Sequence, residues 1–355
     1  MVTTETASAR ATRLFPLRAV VLPFLVSRVI SDGLILVMAK SRSFLDPAFH
    51  SGFAKWDGAW YVEIAKFGYG PKTLPAQESP WPFFPVLPAL MRVGGWLGPS
   101  EWLVGVTVNH VAFLLGLAGL YRIARRHVSP RAGELGVWLI ALFPASFLFS
   151  MIYPSAIFFA ASVWAFCFVE EGRDPAAGLA TIAAVMVRPN GFVVAIALAF
   201  AVHWVPKRVA VVCGPALLAF VGWMLYNRDK TGDALTFYKS KDGWPEIDLV
   251  DFVLRDRKIA IPHVLLAAAA VVAVIAVWKL LPRSWLLLTA LYLVPAFVVG
   301  MVGLGRYAGE IFPPFVAGGE ILRRWPRAAV GAVFVACVAL QVLCVYWVIH
   351  QEYVP

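Results

Sequence analysis

The sequence predicts an all-α protein that crosses a membrane many times. Of its 355 residues, 60% are hydrophobic and only 15% are charged, whereas about a quarter of the residues of a soluble domain are charged. Several apolar runs approach the roughly 20 residues that a helix needs to cross a bilayer. Short basic loops separate these runs at regular intervals. We therefore expect a polytopic helical protein that forms one integral membrane domain over residues 1–355.

The net charge of +10 comes from basic residues that cluster in short loops between apolar runs. In a membrane protein such loops carry the orientation signal. Membrane lipids are therefore the expected surroundings, and no nucleic acid is expected to bind. The cysteines lie inside apolar runs without a Cys-x-x-Cys pair, so we expect small buried side chains at Cys167, Cys213, Cys337 and Cys344.

Hydropathy predicts about eleven membrane segments. The first holds Arg28 and Asp32 and lacks a small-residue cleavage site, so we expect a retained helix rather than a signal peptide. The fifth is short, and Arg188-Pro189-Asn190-Gly191 interrupts it. The predicted segments are 17–39, 102–121, 132–150, 152–169, 176–187, 191–205, 209–226, 262–281, 284–303, 308–322 and 328–349.

The loops also predict the orientation of the chain. Every alternate loop is short and basic, beginning with the N-terminal arm, so this side is expected to be cytoplasmic. The opposite side has a first outer loop at residues 40–100 and a second at 227–261. We expect a multi-pass plasma-membrane protein with a cytoplasmic N-terminus and its active site on the outer face.

Four polar motifs fall on this predicted outer face. Polar stretches with purely structural roles would be scattered over both faces, so their convergence indicates a functional site. The motifs are residues 56–69, Arg188-Pro189-Asn190-Gly191, Gly232-Asp233 with Phe237-Tyr238, and Gly305-Arg306-Tyr307.

The first outer loop is expected to carry short amphipathic helices, one of them over residues 56–67. Asp57, Tyr61 and Ile64 share a face of this helix. A carboxylate near a helix N-terminus is favoured by the helix dipole. Asp57 therefore has two interpretations: it caps the helix, or it is a general base that takes the proton of an acceptor hydroxyl.

Aromatic residues surround this carboxylate. Trp56 and Trp60 lie beside Asp57, and aromatic rings suit the apolar face of a sugar in a binding site. Glu63 is a second candidate carboxylate, but it lies about 120° further round the helix. Downstream, four prolines in residues 79–88 disfavour a regular helix. That stretch is interpreted either as a wall of the site or as a membrane-surface anchor.

The ordered set of motifs resembles the PIG-V-type mannosyltransferases, which have bacterial homologues. The resemblance runs from about residue 25 to about residue 315. It departs from the family at Ser155, where the family usually has a glutamate two residues after a tyrosine. The matching residues are Trp56-Asp57, Ile64-Ala65-x-x-Gly68-Tyr69, Phe83-Phe84-Pro85-x-x-Pro88, Phe143-Pro144-Ala145-Ser146, Tyr153, Arg188-Pro189-Asn190-Gly191, Gly232-Asp233 with Phe237, and Arg306-Tyr307 with Pro313.

The resemblance implies a GT-C glycosyltransferase fold with Asp57 as the catalytic carboxylate. It implies inverting transfer of mannose from a polyprenyl-phosphate donor to a lipid-linked or glycan acceptor, with no cofactor and no metal. The sequence shows no His/Cys/Asp ligand cluster that argues otherwise. Two alternatives remain open: a GT-C enzyme with another sugar or a protein acceptor, and a transporter or flippase of lipid-linked sugars. A transporter would show broken helices and repeats near mid-membrane.

Further polar residues complete the expected substrate site. Arg306 is the expected phosphate ligand because arginine binds phosphate bidentately, and its alternative is a snorkelling arginine at the interface. Arg188 is interpreted equally as a ligand or as part of a structural turn. Asn190 holds a sugar hydroxyl or caps the next helix. Tyr307 and Asp233 belong to the site through the motifs that resemble the family.

Arg28 and Asp32 are spaced i, i+4 inside the first segment. Ionisable residues at membrane depth usually face the protein interior and pair. A structural ion pair between them is slightly favoured, and the alternative is that Arg28 lines the donor pocket.

Overall fold

The computed structural model describes residues 16–40, 52–70, 79–240, 257–299 and 304–350, and the regular structure within these ranges is helical. Leu17–Val21 is a π-helical turn that continues into α1, and 3-10 turns lie at Ser146–Phe149, Pro189–Gly191 and Trp278–Leu280. The α-helices are α1 (Leu22–Met38), α2 (Asp57–Phe67), α3 (Val86–Gly95), α4 (Glu101–His127), α5 (Pro130–Ala141), α6 (Ser155–Glu170), α7 (Asp174–Val187), α8 (Phe192–Ala201), α9 (Pro206–Val212), α10 (Gly214–Thr231), α11 (Thr236–Lys239), α12 (Arg257–Ala276), α13 (Arg283–Val299), α14 (Leu304–Glu310), α15 (Pro313–Leu322) and α16 (Arg327–Ile349).

Three helices in the described part of the chain are long and apolar enough to cross a membrane. They are Leu17–Met38, α4 and α16. A fourth candidate is the pair α9 and α10, which bends by 48° at its break. Shorter apolar helices, such as α6 and α7, make up much of the remaining bundle. The helical membrane class is confirmed, and the count of about eleven spans stays a prediction.

Three predicted segments are wrong as single helices: 209–226 crosses the break between α9 and α10, and the other two break near prolines. In the segment 132–150, helix α5 ends at Ala141 and the chain turns through the region of Pro144. The segment 308–322 is split into α14 and α15. In both places proline is the physical reason, because it lacks the N–H that a helix interior uses, whereas in a first turn, as at Pro313, that N–H would have no intrahelical partner.

Helix α6 lies at the centre of the bundle. Nearly all its side chains are buried, as expected for a helix that is apolar on every face. It packs against α4 and α7, while α5 packs against α15. The contact between α5 and α15 is close, because a Cβ at Gly319 would lie 2.1 Å from the carbonyl oxygen of Ala132. Small residues allow such backbone approach between membrane helices.

The first outer loop contains the two short helices α2 and α3. The predicted helix over 56–67 is observed as α2. The expectation that prolines prevent a helix over 79–88 is correct only as far as Pro85. Helix α3 begins at Val86 because Pro88 falls in its first turn, where its missing N–H breaks no intrahelical bond. In the second loop, α10 extends to Thr231, and residues 241–256 lie outside the described residues.

The predicted ion pair between Arg28 and Asp32 is not formed. Arg28 is buried and donates to the hydroxyls of Ser150, at 2.5 Å, and Ser146, at 3.0 Å. Asp32 instead lies 2.9 Å from Nε2 of His110 on α4. The i, i+4 spacing permitted the ion pair, but the turn at Ser146–Phe149 and helix α4 bring other partners to the two side chains. The role of Arg28 in a donor pocket stays a prediction.

Candidate functional site

Asp57 is the first residue of α2, where the helix dipole favours a carboxylate. Trp56 before it has a φ of 54°, a left-handed conformation that is strained in a non-glycine residue. The indole N–H of Trp56 donates to the carbonyl of Val348 at the end of α16, at 3.2 Å. A contact across the bundle thus holds the strained residue and fixes where Asp57 emerges.

The turn before α6 also supports the segment that precedes α2. The backbone N–H of Ile152 donates to the carbonyl of Phe53 at 2.8 Å. The side-chain amide of Asn109 on α4 donates to the carbonyl of Tyr153 at 3.0 Å. The start of α2, the turn before α6 and α4 therefore form one rigid support for Asp57.

Arg306 on α14 faces Asp57. Its Nη1 lies 3.3 Å from Oδ2 of Asp57, a contact between residues 249 positions apart. The side chain of Arg306 is 14% exposed and that of Asp57 is 36% exposed, so both are partly accessible to solvent. The Nε of Arg306 is buried and has no hydrogen-bond partner among the described residues. This guanidinium therefore keeps donor capacity for an anionic ligand.

Arg188 reaches the same place from the end of α7. The turn that follows it requires a glycine, because a Cβ at Gly191 would lie 2.1 Å from the carbonyl oxygen of Ala184. Arg188 is buried, donates to the hydroxyl of Tyr292 at 2.6 Å and forms an ion pair with Glu310. The turn and the ion pair thus act together, and Arg188 is the better satisfied of the two arginines.

Glu310 is the site residue that the sequence reasoning missed. It lies one turn after Arg306 on α14 and is only 1% exposed. Besides Arg188, it accepts hydrogen bonds from the hydroxyls of Tyr292, at 2.7 Å, and Ser155, at 2.5 Å. The available signal was a carboxylate inside an apolar run, which usually marks a functional position.

Ser155 is the position at which the sequence departs from the PIG-V-type pattern. Its hydroxyl donates to Glu310. A carboxylate is therefore present at this place, and α14 supplies it rather than α6. The departure in sequence does not remove negative charge from this part of the site.

Aromatic rings fill the space around the four charges. Trp60 stacks on Phe83 with ring centres 5.9 Å apart, and Tyr61 meets the same ring edge-on at 5.2 Å. Burial, and then the charge of Asp57, raises the pKa of the Tyr61 phenol, so it keeps its proton at neutral pH. The ring of Tyr307 lies 5.4 Å from the guanidinium of Arg306, within the range of a cation–π contact.

The other predicted site residues have different surroundings. Glu63 is exposed on α2, and Asn190 is half-buried in the turn after Arg188. Asp233 forms an ion pair with Lys239 at 2.6 Å and accepts the backbone N–H of Leu235 at 2.9 Å. Their predicted contacts with substrate, like that of Trp56, stay predictions.

No three His, Cys, Asp or Glu side chains within the described ranges come together as a group that could hold a metal ion. The site instead has a carboxylate, Asp57, and a guanidinium, Arg306, in contact. A carboxylate in reach of a hydroxyl can accept its proton, and a guanidinium can bind a phosphate oxygen pair. The two groups together suit a reaction in which a hydroxyl attacks and an anion leaves.

Two cavities lie along the bundle. An apolar one of about 400 Å³ is lined by α3, α4, α6 and α7, and it includes Ile157, two residues after Ser155. A polar cavity of about 760 Å³ lies among the far ends of α4 and α6 and includes Arg126 and Glu171. Asn109, which contacts the turn that supports Asp57, and Arg126 both lie on α4, so this second cavity is about 25 Å along the helix from the level of Asp57.

No protein-family model matches the chain, and no curated protein matches its sequence. Solved structures do match in fold. ArnT from Cupriavidus metallidurans, crystallised with undecaprenyl phosphate, aligns with a TM-score of 0.57 and 16% identity over 88% of this chain and 62% of ArnT. The oligosaccharyltransferase AglB from Archaeoglobus fulgidus, in complex with an inhibitory peptide and a dolichol-phosphate, aligns with a TM-score of 0.51 and 13% identity over 94% of this chain and 55% of AglB.

The chain is therefore a helical membrane protein with the fold of the GT-C glycosyltransferases. It spans less than two thirds of the length of ArnT and of AglB. Sequence identities this low show the fold alone. The fold predicted from the resemblance is confirmed.

Proposed function

We propose that this protein is a membrane glycosyltransferase that moves a sugar from a polyprenyl-phosphate donor to a lipid-linked or glycan acceptor. The observation that carries the proposal is the contact between Asp57 and Arg306, whose side chains are both partly exposed. Asp57 is the general base, and Arg306 is the ligand of the donor phosphate. The lipid phosphates bound to ArnT and AglB, which share the fold, support a lipid-phosphate substrate.

The reaction is a direct displacement at the anomeric carbon. A carboxylate oxygen of Asp57 takes the proton of the acceptor hydroxyl while that hydroxyl oxygen forms a bond to the anomeric carbon. The bond from this carbon to the phosphate oxygen breaks, and its electron pair leaves with the polyprenyl phosphate. Arg306 stabilises the charge that develops on the departing phosphate. The acceptor oxygen enters opposite the leaving group, so the configuration inverts.

The single contact between Asp57 and Arg306 suits these separate tasks. At 3.3 Å it is longer than a strong charge-assisted hydrogen bond. A donor phosphate can draw the guanidinium away from the carboxylate and use its unpartnered Nε. Asp57 is then available to the acceptor.

The apolar cavity supplies room for a lipid chain. It lies between α4, α6 and α7 and includes Ile157, close to the start of α6 where Ser155 contacts Glu310. This apolar surface is the proposed place of the polyprenyl chain.

The finer assignment is a PIG-V-type mannosyltransferase of the plasma membrane that acts on the outer face. The ordered motifs support mannose as the sugar. The basic side chains of Arg122, Arg126 and Arg208 at the other end of the bundle support the outer location of Asp57. Trp60 and Tyr61 are assigned to the sugar because they lie one turn after the catalytic carboxylate on α2.

The test is sugar transfer by the purified protein in detergent. Radiolabelled polyprenyl-phosphate mannose is incubated with a membrane lipid extract and with wild type, Asp57→Ala or Asp57→Asn. Wild type is expected to produce labelled lipid or glycan, and loss of the general base is expected to slow transfer by about 10²- to 10⁴-fold. Unimpaired transfer by both variants would remove Asp57 as the base, and no transfer from any sugar donor would favour a transporter.

A further inference from the structure

Two guanidinium groups flank one aromatic ring in the site. The carbon centre of Arg188 lies 5.5 Å from the ring centre of Tyr307, and that of Arg306 lies 5.4 Å from it. The two centres are therefore at most roughly 11 Å apart, a distance over which charges interact appreciably in a partly dry site. An anion bound at Arg306 is within the field of Arg188 as well.

Of Arg188 and Arg306, Arg188 is the one whose charge is cancelled by a fully buried partner. Glu310 is 1% exposed, and its two oxygens accept from Arg188, Tyr292 and Ser155. A carboxylate with three donors, one of them a guanidinium, is a fully satisfied counter-ion. The ion pair of Arg188 and Glu310 contributes no net charge to the site.

Arg306 differs in that its partner is the general base. Asp57 loses its negative charge when it takes the acceptor proton, and Arg306 has a buried Nε without a partner among the described residues. When a donor phosphate draws Arg306 away from Asp57, Arg188 and Glu310 still sum to zero, and Arg306 is the cation that meets the ligand. This one positive charge balances the single negative charge of a phosphodiester, such as a polyprenyl-phosphate sugar.

We propose that Glu310 makes the site selective for a donor with one phosphate over a donor with two. The inference rests on the proposed function in one respect, which is that lipid phosphate binds at Arg306. Without the charge of Glu310, the full charge of Arg188 would act on the ligand from roughly 11 Å, which is worth about tenfold in binding for each further negative charge. Glu310 suppresses this gain.

The experiment compares the binding of farnesyl monophosphate and farnesyl diphosphate to the purified full-length protein in detergent by calorimetry. Wild type is expected to prefer the monophosphate. Glu310→Gln is expected to shift the ratio of the two dissociation constants about tenfold towards the diphosphate. Glu310→Asp, which retains the charge, is expected to keep the wild-type ratio.

Two further variants separate charge from structure. Arg188→Gln leaves Glu310 uncompensated and is expected to shift the ratio in the opposite direction, and it also carries the test if Glu310→Gln does not fold. The double variant Arg188→Gln/Glu310→Gln restores neutrality and is expected to restore the wild-type preference. A merely structural role for Glu310 would weaken both ligands by the same factor and leave the ratio unchanged.

The outcomes distinguish the inference from its premise. If wild type binds the monophosphate and Arg306→Ala weakens it, but Glu310→Gln does not move the ratio, Glu310 has no role in selectivity and the proposed function stands. If wild type binds neither ligand, or Arg306→Ala binds both as wild type does, phosphate binding at Arg306 is refuted and the selectivity role falls with it. A shift with opposite signs in the two single variants supports the proposal.

Discussion

Replacement of Arg188 by methionine tests whether the buried ion pair holds the site together. The side chain of Arg188 is 6% exposed and that of Glu310 is 2% exposed. Removal of one member of such a pair leaves the other charge buried without compensation. We therefore expect Arg188→Met to lower the free energy of unfolding by about 3–5 kcal/mol.

The double variant Arg188→Met/Glu310→Leu gives the sharper comparison. It removes both charges and fills the space with apolar atoms, which is often close to neutral for a buried pair. The hydroxyls of Tyr292 and Ser155 lose an acceptor, which costs about 1–3 kcal/mol for each that stays unpaired. The double variant is still expected to cost less than the two single variants together.

Unfolding by SDS in mixed micelles, followed by tryptophan fluorescence, measures these differences. The matched control is Arg323→Met, because Arg323 also pairs with a glutamate, Glu320, but the Arg323 side chain is 42% exposed and Glu320 keeps its contact with Arg324 when Arg323 is removed. The control is expected to cost less than about 1 kcal/mol. Equal costs for Arg188→Met and Arg323→Met, or strict additivity in the double variant, would refute the view that the buried pair is a coupled unit.

Three further predictions concern the donor site, the helix packing and the far end of the bundle. Arg306→Ala is expected to raise KM for the donor at least tenfold with wild-type unfolding, and unchanged donor kinetics would contradict its phosphate role. Gly319→Ala places a methyl group against a backbone carbonyl at 2.1 Å, so we expect a loss of about 1–3 kcal/mol in the same unfolding assay, and wild-type stability would show that α15 can shift freely. Although burial opposes ionisation, hydrogen bonds from Arg122 and Arg126 hold the pKa of the Glu171 carboxyl below its usual value. Its stabilisation is therefore complete above the unfolded pKa of about 4.3 and is lost as the pH falls through the lower folded value. The difference in melting temperature between wild type and Glu171→Gln should shrink below pH 4, and a constant difference from pH 7 to pH 3 would contradict this assignment.

The first outer loop shows how far local pattern carries a prediction. The spacing of Asp57, Tyr61 and Ile64 predicted a helix, and α2 begins at Asp57. Helical periodicity depends on neighbours within one or two turns, so it can be recognised without knowledge of the fold. The support of Asp57 by Val348, which accepts the indole N–H of Trp56, has no such local signature.

One expectation failed where distant segments competed with a local partner. Arg28 and Asp32 are one turn apart, yet Ser146, Ser150 and His110 take their hydrogen bonds. The i, i+4 rule states which side chains can meet on one helix. It does not state what the neighbouring helices bring to the same place.

The sequence by itself determined the membrane class, the positions of most helices and the polar motifs, because apolar length, proline and helical period act within short stretches of chain. Only the tertiary structure decided which of these motifs meet. It brought Arg306 to Asp57 across 249 positions, and it delivered Glu310 to Arg188 and Ser155 from another helix. Such pairings depend on how helices pack, since a buried charge is tolerated only where the fold supplies its partner.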